Sequence, residues 1–130
     1  MVGLSSAILQ EAPVVTQDID LWIEHLGSES FQKAVNEVAG FYIPPGVAGQ
    51  NPPMLGPDTF KVFDIVSHMH GLDDFSTEYS RSISATIDGV EIKILPLERI
   101  ILSKETLNRE KDKAVLPALR AALAIRNKSE

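Results

Sequence analysis

The spacing of apolar and polar positions along the chain switches repeatedly between the period of a strand and that of a helix. Leu4 to Gln10 predicts a short helix opening just after Gly3, which must end before Pro13 because a residue preceding proline avoids helical angles. Val14 to Ile23 predicts a strand, with β-branched residues leading into the alternation Asp18, Ile19, Asp20, Leu21. Ser28 is placed to cap a helix running to about Ala39, with Phe31, Val35 and Val38 on one face and Gly40 as its stop. Five prolines and three glycines between Phe41 and Pro57 predict a long surface loop. Phe60 to Val66 reads as the next strand, with Asp64 inside an otherwise apolar run. Ser82–Ile87 and Val90–Leu95 flank Asp88-Gly89, the dipeptide of a two-residue hairpin turn. Pro96 starts a helix through about Leu102, and a last helix covers about Lys111 to Ile125 with Val115, Leu119, Ala122 and Leu123 as its apolar stripe. The expected architecture is α/β or α+β, a mixed sheet of about four strands packed with helices around one core.

Composition narrows the possibilities. At 130 residues, 44% hydrophobic and 23% charged, the chain reads as a single globular domain spanning residues 1–130. No apolar run approaches the roughly 20 residues of a membrane span, and the start lacks the basic and hydrophobic stretches of a signal peptide, so the chain reads as cytoplasmic with no membrane partner. The absence of cysteine excludes disulfide frameworks, thiolate metal sites and cysteine nucleophiles. A metal must then be held by oxygen or imidazole. Charge is divided along the chain: residues 1–97 carry 4 basic and 13 acidic side chains, residues 98–130 carry 8 basic and 5 acidic. An acidic body of this kind disfavours general duplex DNA binding and suits a small phosphorylated ligand escorted by a metal cation.

The sharpest chemical feature is Asp18-Ile19-Asp20. Residues two apart on a strand share a face, with backbones roughly 6 to 7 Å apart. Two carboxylates aimed at one spot repel unless a cation lies between them, and hard divalent ions such as Mg²⁺ or Mn²⁺ take such oxygen ligands. With Asp64 from a neighbouring strand, the three form a cup able to hold metal and orient a triphosphate for in-line attack. The plainer alternative is a solvent-facing strand surface. His68 and His70 read as a polar strand end more readily than as ligands, His25 as a surface residue, and Trp22, between Leu21 and Ile23, as core. Arg109 and Lys111 open the last helix against the preference of its dipole, which points to a ligand-related role.

These residues resemble a family. Val2-Gly3-Leu4, a spacer of 13 residues from Ser5 to Gln17, then Asp18-Ile19-Asp20-Leu21, with Asp64 on a later strand, is similar to the minimal nucleotidyltransferases of the polymerase-β-like superfamily. Leu95 to Lys104, Arg109-Glu110-Lys111-Asp112 and Leu116 to Leu119 resemble the C-terminal end of its bacterial branch of abortive-infection toxins and uncharacterised nucleotidyltransferases. The resemblance implies a nucleotidyltransferase-like fold and transfer of a nucleoside monophosphate from a nucleoside triphosphate to a hydroxyl acceptor. Asp18 and Asp20 would be metal ligands, and Asp64 a ligand or the base that activates the acceptor. Gly3, Ser5 and Ser6 would cradle phosphates, while Lys104, Arg109 and Lys111 counter their charge and Asp112 orients one of them. Leu4 stands where the family has Gly or Ser. Relatives also carry further residues ahead of the motif, so the resemblance implies a chain shortened at its N-terminus, with a second copy or a protein partner covering that edge. The alternative is a degenerate module that keeps the fold as a binding or toxin–antitoxin component, and a third reading is a purely structural oligomer-forming domain. The acceptor is open: choice among tRNA, a protein hydroxyl, an antibiotic or another alcohol would lie in loops such as Phe41 to Pro57.

Overall fold

The structure, a computed structural model, describes residues 1–46 and 52–130. The order of elements is α1 (Gly3–Ile8), β1 (Ile19–Trp22), α2 (Glu29–Glu37), β2 (Phe41–Ile43), β3 (Met54–Gly56), β4 (Phe63–Val66), α3 (Phe75–Arg81), β5 (Ile83–Ile87), β6 (Val90–Ile94), α4 (Leu97–Leu107) and α5 (Glu110–Ser129). The class is mixed α/β, as the periodicity predicts. Among the described residues, no helix is long and apolar enough to cross a membrane.

The strands do not form one four-stranded sheet. Three two-stranded sheets are present among the described residues: β1 with β4 in parallel, β2 with β3 antiparallel and β5 with β6 antiparallel. Two of them are tied together by the first two residues of the chain. Val2 donates its N–H to Asp20 O (2.9 Å), the terminal ammonium of Met1 donates to Lys93 O (2.8 Å), and Leu95 N–H donates to Met1 O (3.0 Å). Met1–Val2 therefore bridges β1 and β6 with backbone bonds, without the length to count as a strand.

Several boundaries shift for identifiable reasons. The strand expected from Val14 begins only at Ile19, because the Thr16 hydroxyl bonds the N–H and C=O of Asp18 and folds the chain into a local turn. Ser28 caps α2 as expected, accepting from Phe31 N–H (3.2 Å). The helix stops at Glu37, since Ala39 adopts a left-handed conformation (φ 58°) and Gly40 N–H bonds Val35 O (2.9 Å), leaving Val38 exposed. The loop expected over Phe41–Pro57 contains a hairpin, Phe41–Ile43 against Met54–Gly56; its residues 47–51 lie outside the described residues. The prolines flank the two short strands instead of interrupting them, and Phe41 lays its ring over Gly56, where a side chain would collide. The strand expected from Phe60 starts at Phe63, because Asp58–Phe60 winds into a 3₁₀ turn.

At the other end of the chain, β5 and β6 turn through Asp88 (φ 49°) and Gly89 (φ 79°), the two positive angles that Asp-Gly supplies. Helix α4 runs five residues beyond Leu102, to Leu107, and stops at left-handed Asn108 (φ 52°). The final helix also overruns its expected ends. Helices α4 and α5 pack on α1 to form the core, with Ala7, Leu97 and Leu119 fully buried and Ile100, Leu95 and Leu116 nearly so.

Helix α3 was not predicted. Its start is written in Asp74, whose carboxylate accepts from Thr77 N–H (3.0 Å), but its one buried residue is charged: Glu78. That carboxylate accepts from Arg99 (3.0 and 2.6 Å), from Arg81 (2.9 Å) and from Asp73 N–H (3.1 Å). Burial pushes its pKa up, but the Arg99 bonds, the Asp73 N–H and the charges of Arg99 and Arg81 together hold the carboxyl below the usual range. The network pins α3 to α4, and removing its centre leaves the largely buried Arg99 with only the more distant Asp73 carboxylate (3.8 Å). Glu78→Ala is expected to lose about 3 kcal/mol of stability by urea denaturation. A loss under about 1 kcal/mol, the level of an exposed pair, would show that the network is peripheral.

Candidate functional site

The site begins where α1 meets β1. Gly3 has φ 63°, and a Cβ built on it would overlap the Asp20 carboxylate, so glycine serves both the backbone angle and the close approach. The adjacent serines are not free to meet a ligand. Ser5 Oγ donates to Val2 O (2.9 Å) and accepts from Asp20 N–H (3.3 Å), while Ser6 Oγ donates to Leu95 O (2.7 Å); both side chains are buried. Their hydroxyls, expected to help the backbone N–H groups cradle phosphate, are engaged inside the protein instead: Ser5 fastens the site to β1 and Ser6 to the end of β6. Gly3 lines the cavity, with Asp20 occupying the space beside its Cα.

That cavity, about 510 Å³, collects side chains distant in sequence. Asp20 and Asp64 are register partners in the parallel pair of β1 and β4, which sends both carboxylates to the same face. Asp18, two residues ahead of Asp20, lines the same cavity. Asp64 is exposed and not sunk in the apolar run around it, because its neighbours Phe63 and Ile65 project to the opposite face. The three carboxylates repel one another. Burial, then Asp64, raises the pKa of Asp20, against the pull of Lys104; burial, then Asp18, raises that of Asp64. Among the described residues, no set of three Asp, Glu or His side chains is close enough to enclose one ion as it stands. By chemistry the donor set, all carboxylate oxygen and all facing one cavity, is of the hard type that divalent cations such as Mg²⁺ take.

Lys104, Arg109 and Lys111 also line this cavity, from the end of α4 and the start of α5. Asp112 explains their placement. It is buried, accepts from Arg109 N–H (3.0 Å) and guanidinium (2.7 and 3.1 Å), and lies 3.4 Å from Lys104 Nζ. The Arg109 bonds bring its pKa down to about 2. Arg109 is therefore the N-cap residue of α5: its N–H and guanidinium donate to the Asp112 carboxylate and its carbonyl accepts from Asp112 N–H (3.0 Å), so the conflict between its charge and the helix dipole is resolved within the protein. Among the described residues Lys111 has no ion pair of this kind, and it stays exposed at the cavity.

His68 and His70 follow β4 and line the cavity too, their rings edge to face with centroids 5.1 Å apart. His25 is exposed and pairs with Glu24 (2.8 Å). Trp22 packs edge to face on Phe75 (5.5 Å) beside the core, in keeping with the packing role read for it. Thr16 was overlooked: it lines the cavity and shapes the turn that delivers Asp18, and the Thr-x-Asp spacing was the available signal.

No family model, characterised protein or solved structure matches the chain.

Two titration consequences follow with opposite sign. Asp20 and Asp64 have folded pKa values above their unfolded ones, so their ionisation works against folding at neutral pH and the penalty is relieved as pH falls through the folded pKa. Asp20→Asn and Asp64→Asn, without divalent cation at pH 7, are each expected to raise Tm by a few degrees; a fall in both would mean that the carboxylates hold the fold together. Asp112 has a depressed pKa, so its contribution is present above the ordinary 3.8 and disappears as pH falls towards about 2. Asp112→Asn is expected to lower stability at pH 7 and to flatten the acid limb between those values, which urea titrations at a series of pH values would read.

Proposed function

We propose that the chain is a nucleotidyltransferase-like domain that binds a nucleoside triphosphate with a divalent cation and transfers the nucleoside monophosphate to a hydroxyl acceptor. The observation that carries this reading is the meeting, in one cavity, of a carboxylate wall, Asp18, Asp20 and Asp64, with a cationic one, Lys104, Arg109 and Lys111. An anionic ligand alone is repelled by the first wall, and a metal ion alone by the second. A metal–triphosphate complex satisfies both.

In this reading Asp18 and Asp20 hold the cation with Asp64 alongside, and the bound ion supplies charge neutralisation for the triphosphate. Lys104 and Lys111 attract the phosphate oxygens as mobile point charges, while Arg109 presents what its bonds to Asp112 leave free. Asp112 acts through them: it fixes Arg109 and steers Lys104 without meeting the ligand itself. The raised pKa of Asp64 suits a carboxylate that accepts the acceptor's proton as the new bond forms. The apolar flank of the cavity, which includes Val66, Ile100 and Val115, excludes water from one side and strengthens each charge interaction.

A binding module without transfer is the second reading, favoured by the finding that, among the described residues, no three ligand-type side chains stand close enough to share one ion. Calorimetric titration of each NTP with Mg²⁺ or Mn²⁺ separates the cases when paired with pyrophosphate release. Wild type is expected to bind, Asp18→Asn and Asp20→Asn to lose the heat, and Lys111→Ala to weaken binding about tenfold, as expected for one charge-assisted phosphate contact. Binding without pyrophosphate release supports the module, and no heat with any NTP and metal eliminates the proposal.

A further inference from the structure

A second cavity of about 490 Å³ adjoins the first, and among the described residues Asp64 is the one that lines both. Its walls are apolar: Met54 and Leu55 on one side, Phe63 and Ile65 on the other, with Pro53 beside them. They come from β3, within the proline-rich segment where acceptor choice was expected to lie, and from β4. Among the described residues the single cation on the wall, Lys61, is drawn to Asp58 at 3.2 Å.

We infer that this second cavity is the acceptor subsite, and that it takes an uncharged hydroxyl carried on an apolar body. The inference rests on the nucleotidyltransferase reading and adds to it the chemical class of the second substrate.

The two cavities divide the substrates by charge. Triphosphate oxygens need the Lys104–Lys111 wall of the first, so an attacking hydroxyl must arrive from elsewhere while remaining in reach of a carboxylate at the reacting centre. Asp64 meets that requirement from the second cavity. The acceptor oxygen bonds the α-phosphorus, the α-phosphorus–oxygen bond to the β-phosphate breaks, pyrophosphate leaves, and the hydroxyl proton passes to Asp64. A nucleic-acid acceptor brings phosphodiesters that need Lys or Arg neutralisation. The second cavity offers one lysine already engaged with an aspartate, beside the charge of Asp64 itself. An aromatic or aliphatic alcohol suffers no such repulsion and gains by burying its body against Met54, Leu55 and Phe63. Such a hydroxyl belongs to a free small molecule or to a tyrosine, serine or threonine side chain of a polypeptide.

The three methionines make the test direct, because each reports a different place: Met69 lines the first cavity, Met54 the second, and Met1 neither. With methyl-labelled methionine, NMR titration of an NTP with Mg²⁺ is expected to shift Met69. N-acetyltyrosinamide, and a blocked tripeptide with serine between two valines, are then expected to shift Met54 and leave Met1 in place. A response to the amide alone assigns the source as a small alcohol; a tighter response to the peptide assigns a polypeptide. Met54→Glu, read on the Leu55 and Ile65 methyls, is expected to weaken either probe at least about tenfold while the NTP shift of Met69 is unchanged. Transfer of label from α-³²P NTP to these probes is expected to fall in parallel. If Met69 responds to NTP but Met54 responds to neither alcohol, or only to a short single-stranded RNA, the acceptor assignment is overturned and the triphosphate reading stands. If Met69 does not respond to any NTP, the underlying reading fails and the acceptor assignment falls with it.

Discussion

The contact on which the site depends is the approach of the Asp20 carboxylate to Gly3. It requires a residue without a side chain at a left-handed backbone position, and it fixes the first turn of α1 against β1. The Val2–Asp20 backbone bond and the Ser5 hydroxyl clamp the same junction from either side. A carboxylate held this way has lost much of its water without gaining a hydrogen-bond donor among the described residues, and a second carboxylate, Asp64, stands beside it in register. The fold thus concentrates unfavourable charge at one place and secures that place with bonds made by uncharged groups. Strain of this kind persists only where the surrounding structure over-determines it, and here the surroundings are α1, the bridge of Met1–Val2 and the buried face of α4.

The opposite wall is built on the reverse principle. Asp112 is buried with its charge compensated several times over, so that its neighbours, not itself, face the cavity. One wall has uncompensated anions near solvent; the other has a compensated anion inside and its cations outside. The division of charge along the sequence, acidic to residue 97 and basic after it, becomes a division within one cavity, lined by residues of β1 and β4 and by residues of α4 and α5.

How much of this was legible depended on how local the determinant was. The Asp88-Gly89 turn, the Ser28 cap and the apolar stripe of the last helix are set by neighbours in sequence, and all three stand as read. The strand before Ile19 failed because a threonine side chain competed with the ladder, and the β2–β3 hairpin was hidden by proline density although its strands themselves, Phe-Tyr-Ile and Met-Leu-Gly, hold none. Helix α3 was missed because its buried anchor is a glutamate whose arginine partner, Arg99, lies 21 residues away. For the site, residue types at a two-residue spacing announced Asp18 and Asp20, but the serines that were expected to face a ligand face the core. Sequence identifies a hydroxyl; only the tertiary partner decides whether it is spent, and Leu95 O is 89 residues from Ser6.

The position of Asp64 draws these strands of argument together. In the chain it is a polar interruption of an apolar run, which suggests either a buried charge in need of a partner or an error in the strand. The parallel register with Asp20 makes it neither: alternation turns Ile65 into the interior and Asp64 out to the cavity edge. Because β4 has β1 on one side and the β2–β3 hairpin on the other, a side chain on that strand is the natural divider between two cavities of different character, one walled by charge and one by apolar groups. A carboxylate at such a divide experiences the repulsion of Asp18 from one side and an apolar surface from the other, and both push towards the protonated form. The same placement that makes Asp64 costly to ionise also puts it where two substrates of opposite polarity would have to meet.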